Sequence, residues 1–441
     1  MSKVMICSLP LAIATAAFAG TPIFTNTLGD PGFMGSYVAS FTTHDDGTGE
    51  ALYATGNFSA VGVPGTTNIA KWDGSAWTSV GGGLQNQYSN AMVSFQGDLI
   101  VGGYFDSANS VPGTAKLARF DGTDWNSMDA QMEFFLNSVW DLTTYDGDLI
   151  VAGNYVEIGG DPTIQHIAKW DGSTYTALGT PIGGAVPLIV LDVLNADMGS
   201  GDMLFAAGRF LSIDGVPANN IAVYDGSSWS ALGDGITRSS GFAQGFHMAV
   251  FDDGNGPALY VGGSFNRING GADVVNNIAK WDGSTWSPVG DGFNSAVQEL
   301  VVFDDGSGEA LYALGNFVTS GANSTPYIAK WNGTEWKSVG AGADNNVLGA
   351  IVFDAGEGEA LHFGGNFTML DGLSAARTGS LLASLVCEAD LTGDGTLDVF
   401  DVFAFLDLFN AGDLAADLTG DGSLDVFDVF AFLDLFNAGC P

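Results

Sequence analysis

Positive charge is scarce in this chain. Its 441 residues carry 12 Lys and Arg against 50 Asp and Glu, a formal net charge of −38, and no basic residue follows Arg377. A surface of that sign repels nucleic acid and anionic membrane, so neither is expected as a partner. Cysteine is nearly absent, with only Cys7, Cys387 and Cys440. The four histidines, His44, His166, His247 and His362, stand at unrelated places in the chain, which argues against a shared metal triad. A Gly-x-Ser-x-Gly elbow and a paired-histidine metal spacing are both missing. Beyond the first twenty residues no apolar run is long enough to span a bilayer, and residues 381–386 have the length of a short buried strand.

What is present reads as a well-buried globular protein, since charged residues make up only 14% of the chain and apolar ones 46%. Sixty-four glycines beside 30 Phe and 10 Trp imply many tight turns between aromatic-rich strands. At the start, Lys3 precedes an apolar run over 4–17 that ends in Ala17-Phe18-Ala19, the small-x-small form of a signal-peptidase site. Residues 1–19 are therefore expected to be a signal peptide, and the protein to be secreted, extracellular or cell-surface associated in a bacterium. Cleavage there removes Cys7. Cys387 and Cys440 are then an isolated pair flanking one segment of an exported chain, which reads as a disulfide.

Between the ends a unit recurs with a period near fifty residues. Asn68-Ile-Ala-Lys-Trp-Asp-Gly-Ser-Ala-Trp77 returns with variation at 116–125, 166–175, 220–229, 277–286 and 327–336. An alternating strand, an Asp-Gly or Asn-Gly turn and a second short strand make a hairpin signal, and another hairpin lies upstream of each. Two hairpins per unit give the four strands of a propeller blade. A Gly-x-aromatic strand end occurs seven times, at Gly56, Gly103, Gly153, Gly208, Gly263, Gly315 and Gly365, whereas the Asp-Gly hairpin occurs six times. The seventh unit lacks its outer strand. Ile23-Phe-Thr-Asn-Thr-Leu-Gly29 aligns with Trp77-Thr-Ser-Val-Gly81 and is expected to supply it, which predicts a seven-bladed β-propeller over 20–386 with its ring closed by the N-terminal strand. The glycine pairs Gly102-Gly103, Gly262-Gly263 and Gly364-Gly365 with downstream aromatics resemble kelch repeats, a likeness that implies the fold and no activity.

The last 55 residues differ. Asp390-Leu-Thr-Gly-Asp-Gly-Thr-Leu-Asp-Val-Phe-Asp401 recurs as Asp417-Leu-Thr-Gly-Asp-Gly-Ser-Leu-Asp-Val-Phe-Asp428, with oxygen side chains at loop positions 1, 3, 5, 9 and 12 and Gly at position 6. That is the spacing at which a short loop wraps one Ca²⁺. The expected ligands are Asp390, Thr392, Asp394, Thr396 (through its carbonyl), Asp398 and Asp401 for one ion, and Asp417, Thr419, Asp421, Ser423, Asp425 and Asp428 for a second. Each loop runs into an apolar stretch of helical length whose Phe and Leu occupy nearly the whole circumference. Phe403, Phe405, Leu406 and Phe409, with Phe430, Phe432, Leu433 and Phe436, are the candidate partner surface.

Paired EF-hand-like loops, each followed by a helix with no helix entering, resemble a dockerin of the type I kind, and the closing Asn437-Ala-Gly-Cys-Pro441 resembles the Gly-Cys ending of a dockerin subgroup. The resemblance covers 387–441 and implies calcium-dependent attachment to a cohesin-like protein receptor. Loop positions 10 and 11, where polar recognition residues are expected from the likeness, are Val and Phe here.

Together these readings favour a binding or scaffold body carried on a calcium-dependent anchor over an enzyme. The alternatives are a polysaccharide-active enzyme (glycoside hydrolase or lyase) on the same anchor, or a propeller lectin that uses the Trp and the Lys or Arg of each hairpin on a glycan. Carboxylate pairs such as Asp45-Asp46, Asp252-Asp253 and Asp304-Asp305 recur at equivalent Asp-Asp-Gly-x-Gly turns, which suits a structural role better than acid-base chemistry. Trp72 and its equivalents are expected to pack between blades, with the lysine stems covering them.

Overall fold

The computed structural model describes residues 23–26, 28, 32–60, 63–132, 137–183, 188–199, 201–356, 358–383, 389, 391–392, 397–413, 416, 418 and 423–438. They fall into two compact units, one over Phe24–Leu382 and one beginning at Ala383. The expected signal peptide and all three cysteines lie outside the described residues.

The larger unit is a seven-bladed β-propeller, built from seven four-stranded antiparallel sheets. Its innermost strands are Phe33–Asp45, Ser89–Phe95, Val139–Tyr145, Ile189–Asp197, Gln244–Asp252, Val297–Asp304 and Val347–Asp354, here blades 1 to 7. Each inner strand contacts the next, and the last returns to the first, so together they enclose the axis. As the sequence predicts, Ile23–Thr25 is the fourth strand of blade 7, beside Thr378–Leu382. Two-residue ladders between the second and third strands, such as Thr319–Ser320 with Asn323–Ser324, add to the expected topology. They are too short to leave a periodic signal in the sequence.

The core lies between blades. Phe251 and Tyr260 of blade 5, for instance, pack with Phe317, Trp331 and Trp336 of blade 6. A repeated hydrogen bond joins each of blades 1 to 6 to the one before it around the ring. The aromatic opening the fourth strand donates to a carbonyl beyond the preceding fourth strand: Trp125 Nε1 to Val80 O at 3.4 Å, Tyr175 Oη to Met128 O at 3.0 Å, Trp229 to Leu178 at 2.6 Å, Trp286 to Leu232 at 2.6 Å and Trp336 to Val289 at 3.1 Å. Trp77 of blade 1 donates to Leu28 O at 2.6 Å, just past the N-terminal strand of blade 7. Ring closure therefore repeats the joint used between all the earlier blades.

The seven repeated glycines have a common physical cause. Each lies opposite an inner-strand residue that opens a β-bulge, as Gly315 faces Val297 and Gly208 faces Val190. There the partner backbone crosses so closely that a Cβ on Gly315 would sit on the carbonyl oxygen of Ala296, and one on Gly263 on that of Gln244. The hairpin turns are held in another way. Asp282 Oδ1 accepts from the amides of Ser284 at 2.8 Å and Thr285 at 2.7 Å, while Gly283 takes a φ of 94°.

The second unit holds helices α1 (Val399–Ala411) and α2 (Val426–Ala438). Asp398 caps α1, and Gly412, at φ 71°, ends it by donating to Leu408 O and Phe409 O. No helix among the described residues is long and apolar enough to cross a membrane.

Trp286→Phe and Trp77→Phe keep the packing but lose the inter-blade donor, so each is expected to cost about 1 kcal/mol in denaturant unfolding. Gly315→Ala forces a backbone clash and should cost more, roughly 2–3 kcal/mol. Equal midpoints for Gly315→Ala and wild type would refute the close-approach account.

Candidate functional site

In the C-terminal unit the described loop residues converge on the start of each helix. The carboxylate of Asp401 accepts from Thr392 N at 3.0 Å and Thr392 Oγ1 at 2.9 Å through Oδ1, and from Asp398 N at 2.9 Å through Oδ2. Asp398 in turn accepts from Phe400 N at 2.7 Å, completing a capping box. The second copy repeats the pattern, with Asp425 N donating to Asp428 Oδ2 at 2.9 Å and Phe427 N to Asp425 Oδ1 at 2.8 Å. Asp401 and Asp428 are fully buried. Thus loop position 12 ties positions 3 and 9 together in the first loop. Of the expected ligands, Asp390, Asp394, Thr396, Asp417, Thr419 and Asp421 lie outside the described residues. Among the described residues no three His, Cys, Asp or Glu form a metal-binding group.

The expected partner surface needs a correction. Phe405 and Phe432 are 1% exposed and stack on each other at 4.4 Å with ring planes 8° apart, forming the unit's own core with Ala389 and Ala416. Phe409 and Phe436 pack partly buried against that core. Phe403, Leu406, Phe430 and Leu433 are exposed as expected. They are joined by Val399, Phe400, Val426 and Phe427, with Phe400 61% and Phe427 62% exposed. Nearly all-round apolarity gives no face preference; the identity of the repeats decides it, since equivalent rings meet across the pseudo-symmetric contact. The exposed additions are loop positions 10 and 11.

In the propeller, the aromatic and basic repeats are committed to structure. Lys71, Lys280 and Lys330 do not merely cover tryptophans: each binds the second carboxylate of its own blade's Asp-Asp-Gly-x-Gly turn, at 2.6 Å to Asp46, 2.5 Å to Asp253 and 2.7 Å to Asp305. The hydroxyls of Tyr53, Tyr260 and Tyr312 donate to the same carboxylates. The first aspartate takes the turn amides, as Asp252 Oδ1 does from Gly254 N and Gly256 N at 2.8 Å. Desolvation opposes the ionisation of Asp46, but hydrogen bonds from Lys71, Thr48 and Tyr53 outweigh it and hold the carboxyl well below its usual range. Lys169 pairs with Asp148 and Arg119 with Asp98 in the same manner. A sugar site built from one free Lys and Trp per blade is therefore not formed.

Sequence reasoning missed an arc of polar side chains around the axis. In blades 3 to 6 the residue closing the inner-strand bulge is Asp141, Asp192, His247 and Glu299. Each of the first three reaches the following blade: Asp141 Oδ2 accepts from Val193 N at 2.8 Å, Asp192 from Met248 N, and His247 Nδ1 from Leu300 N at 3.3 Å. That last bond leaves Nε2 of a neutral imidazole to donate to Glu299 Oε1 at 3.1 Å. Desolvation pushes the Asp141 carboxyl up to about 6 and raises those of Asp192 and Glu299 well above their usual values, with like charge along the arc adding to the effect for the latter two. Burial lowers His247 to about 4, so its imidazole is neutral at neutral pH and donates to Glu299 as a hydrogen bond rather than an ion pair. Asp192 Oδ2 is buried with no hydrogen-bond partner, in keeping with the upward shift of that carboxyl beside Asp141. The equivalence of these four positions shows only once the bulges are aligned.

Fold and surfaces define the class: a seven-bladed propeller followed by a two-helix unit with acidic, capped loops. A search against known protein families finds no match, and neither does one against curated proteins. Among solved structures, the chain is similar to the extracellular domain of the one component system BT4673 from B. thetaiotaomicron, at 10% identity and a TM-score of 0.48, over 83% of this chain and 40% of that one. It is also similar to YCF48, solved bound to D1 peptide, at 11% identity and a TM-score of 0.41, over 85% of this chain and 99% of that one. The chain thus spans well under half of the first neighbour.

Raised carboxyl pKa values mean that the folded arc holds protons the unfolded chain releases. Their stabilising effect is complete below the unfolded value near 4 and is lost as pH rises through about 6 and beyond. The lowered imidazole of His247 acts oppositely between about 4 and 6.5. Asp192→Asn keeps the shape of the neutral acid without its charge. It should melt no lower than wild type at pH 8, with the gap closing toward pH 5; a loss of stability at pH 8 that vanishes at pH 5 would contradict the upward shift of Asp192.

Proposed function

We propose that this protein is exported and anchored through calcium: a propeller body with a binding or scaffold role, held on a cohesin-like protein receptor by a dockerin-like C-terminal module. The observation that carries this reading is the doubled apolar face. Val399, Phe400, Phe403 and Leu406 on α1, and Val426, Phe427, Phe430 and Leu433 on α2, are between 41% and 62% exposed. Apolar surface on that scale, presented twice beside acidic loops, is characteristic of a protein-binding face. Val and Phe at loop positions 10 and 11 suit a receptor whose own contact surface is apolar.

Calcium enters through the donor chemistry. Both loops offer only hard oxygen ligands, and the segment after Arg377 contains no basic residue to compensate the buried Asp401 and Asp428. Asp390, Thr392, Asp394, Thr396, Asp398 and Asp401 would hold one ion, and Asp417, Thr419, Asp421, Ser423, Asp425 and Asp428 the other. The ions would supply charge neutralisation. Asp398 and Asp425, as helix caps, carry that neutralised loop into the first turn of α1 and α2. In this reading export follows cleavage after residue 19, and Cys387 and Cys440 form a disulfide around the module.

Chelation is expected to melt the C-terminal unit and spare the propeller, so calorimetry with and without a chelator should show one transition move and one stay. An unchanged trace, or no heat on calcium titration, would refute the metal assignment. For the partner face, Phe403→Asp alone can be masked by its twin, whereas Phe403→Asp with Phe430→Asp should abolish calcium-dependent retention on immobilised cohesin domains while calcium binding persists. Phe405→Ala removes half of the buried stack and should instead unfold the module, at a cost of about 3 kcal/mol. Retention of the double variant equal to wild type would show that the exposed faces are not the contact.

A further inference from the structure

We propose that the pocket between blades 4 and 5 is a binding site for an organic anion, a carboxylate borne on an aromatic or aliphatic body. This site lies on the propeller and is separate from the anchoring surface. It is a cavity of about 340 Å³, toward the lower end of the range for small-ligand sites. Two of the chain's five arginines, Arg209 and Arg238, line it together with Phe210, Leu211, Thr237 and Phe242. A third, Arg267, sits just behind, its carbonyl accepting from Thr237 N at 2.9 Å.

The sign of its lining is what distinguishes the site. In a chain with 50 acidic residues, the described residues lining this pocket include two guanidinium groups and no carboxylate. Arg238 donates to Ser264 Oγ, which aims the group without neutralising it. Desolvation lowers the pKa of Arg209, and a partly desolvated guanidinium gains from an anion more than a solvated one.

The walls select the rest of the ligand. Phe242 is 50% exposed with its ring 5.3 Å from the Arg209 guanidinium carbon, and Leu211 is 51% exposed. The amides that line the cavity serve the fold: Asn220 Oδ1 accepts from Phe210 N at 3.2 Å and its Nδ2 donates to Ile236 O at 2.7 Å, while Asn219 Nδ2 donates to Asp234 O at 2.9 Å. A polyol would therefore meet few free partners. A carboxylate would meet a planar two-nitrogen donor from Arg, and an apolar body would cover Phe242 and Leu211. Free aromatic acids and the C-terminus of a polypeptide share this chemistry.

Isothermal titration of the full chain with 3-phenylpropionate tests the site, using 3-phenylpropanamide, inorganic phosphate and a peptide ending in Phe, as free acid and as amide, for comparison. Each acid should bind at least about tenfold more tightly than its amide, and phosphate more weakly than 3-phenylpropionate. Arg238→Gln, at an exposed position, should lose about tenfold for the acid and little for the amide, with Arg238→Lys intermediate and the melting temperature unchanged. Phe242→Ala should weaken acid and amide alike. A tighter peptide assigns the natural ligand to a chain end, and a tighter free acid to a small molecule; either supports the proposal. Equal affinity for acid and amide, preference for phosphate, no binding up to about 10 mM, or an Arg238→Gln variant that binds like wild type would overturn it.

Discussion

The inter-blade joint is the interaction on which the propeller depends. A four-stranded sheet of this size cannot bury its own faces, so stability lies between blades, where aromatic side chains from two sheets interleave. Burial alone would leave the blades free to slide. In blades 1 to 6 the indole or phenol at the start of the fourth strand removes that freedom by donating to one carbonyl of the preceding blade, from Trp125 and Val80 through Trp336 and Val289. Each bond is worth little by itself. Its value is geometric, because the same donor and acceptor positions repeated around the ring set a common rotation. Trp77 and Leu28 then make the closing contact with no new device.

The second constraint runs around the axis. Close approach at Gly56, Gly103 and their equivalents lets the second strand press on the bulge of the first, and the bulge turns the next side chain toward the neighbouring blade. In blades 3 to 6 that side chain is ionisable, and in blades 3 to 5 it takes an amide of the following inner strand. Asp141, Asp192 and His247 thereby satisfy backbone donors, and the low-dielectric setting disfavours charge along the arc. Interior polarity and the large negative surface charge are thus separate matters: the turn carboxylates pair with lysine and ionise readily, while those of the arc are shifted upward by burial.

Charge is also distributed unequally between the two units. Lys71, Arg119, Lys169, Lys280 and Lys330 pair with carboxylates of their own blades, while Arg209 and Arg238 line one cavity. The C-terminal unit has no cation after Arg377, and its loops and helices combine buried carboxylates with exposed phenylalanines. In the proposed reading those two features take different complements, an ion for one and an apolar protein surface for the other.

Much of this was legible in the chain. Period, turn chemistry and the seven recurring glycines determined the class of fold, the number of blades and the strand that closes the ring, because each depends on local backbone demands that repeat in sequence. The loop spacing and the absence of positive charge likewise marked the last 55 residues as distinct. Tertiary structure alone decided which side chains face which way. Phe403 and Phe405 are two residues apart on one apolar helix, and only the contact between α1 and α2 makes the first exposed and the second core. Lysines read as covers for tryptophan proved to be partners of turn carboxylates 25 or so residues away. Arg209, Arg238 and Phe242, like the four residues of the arc, are brought together by the rotation between neighbouring blades, a relation that no single repeat contains.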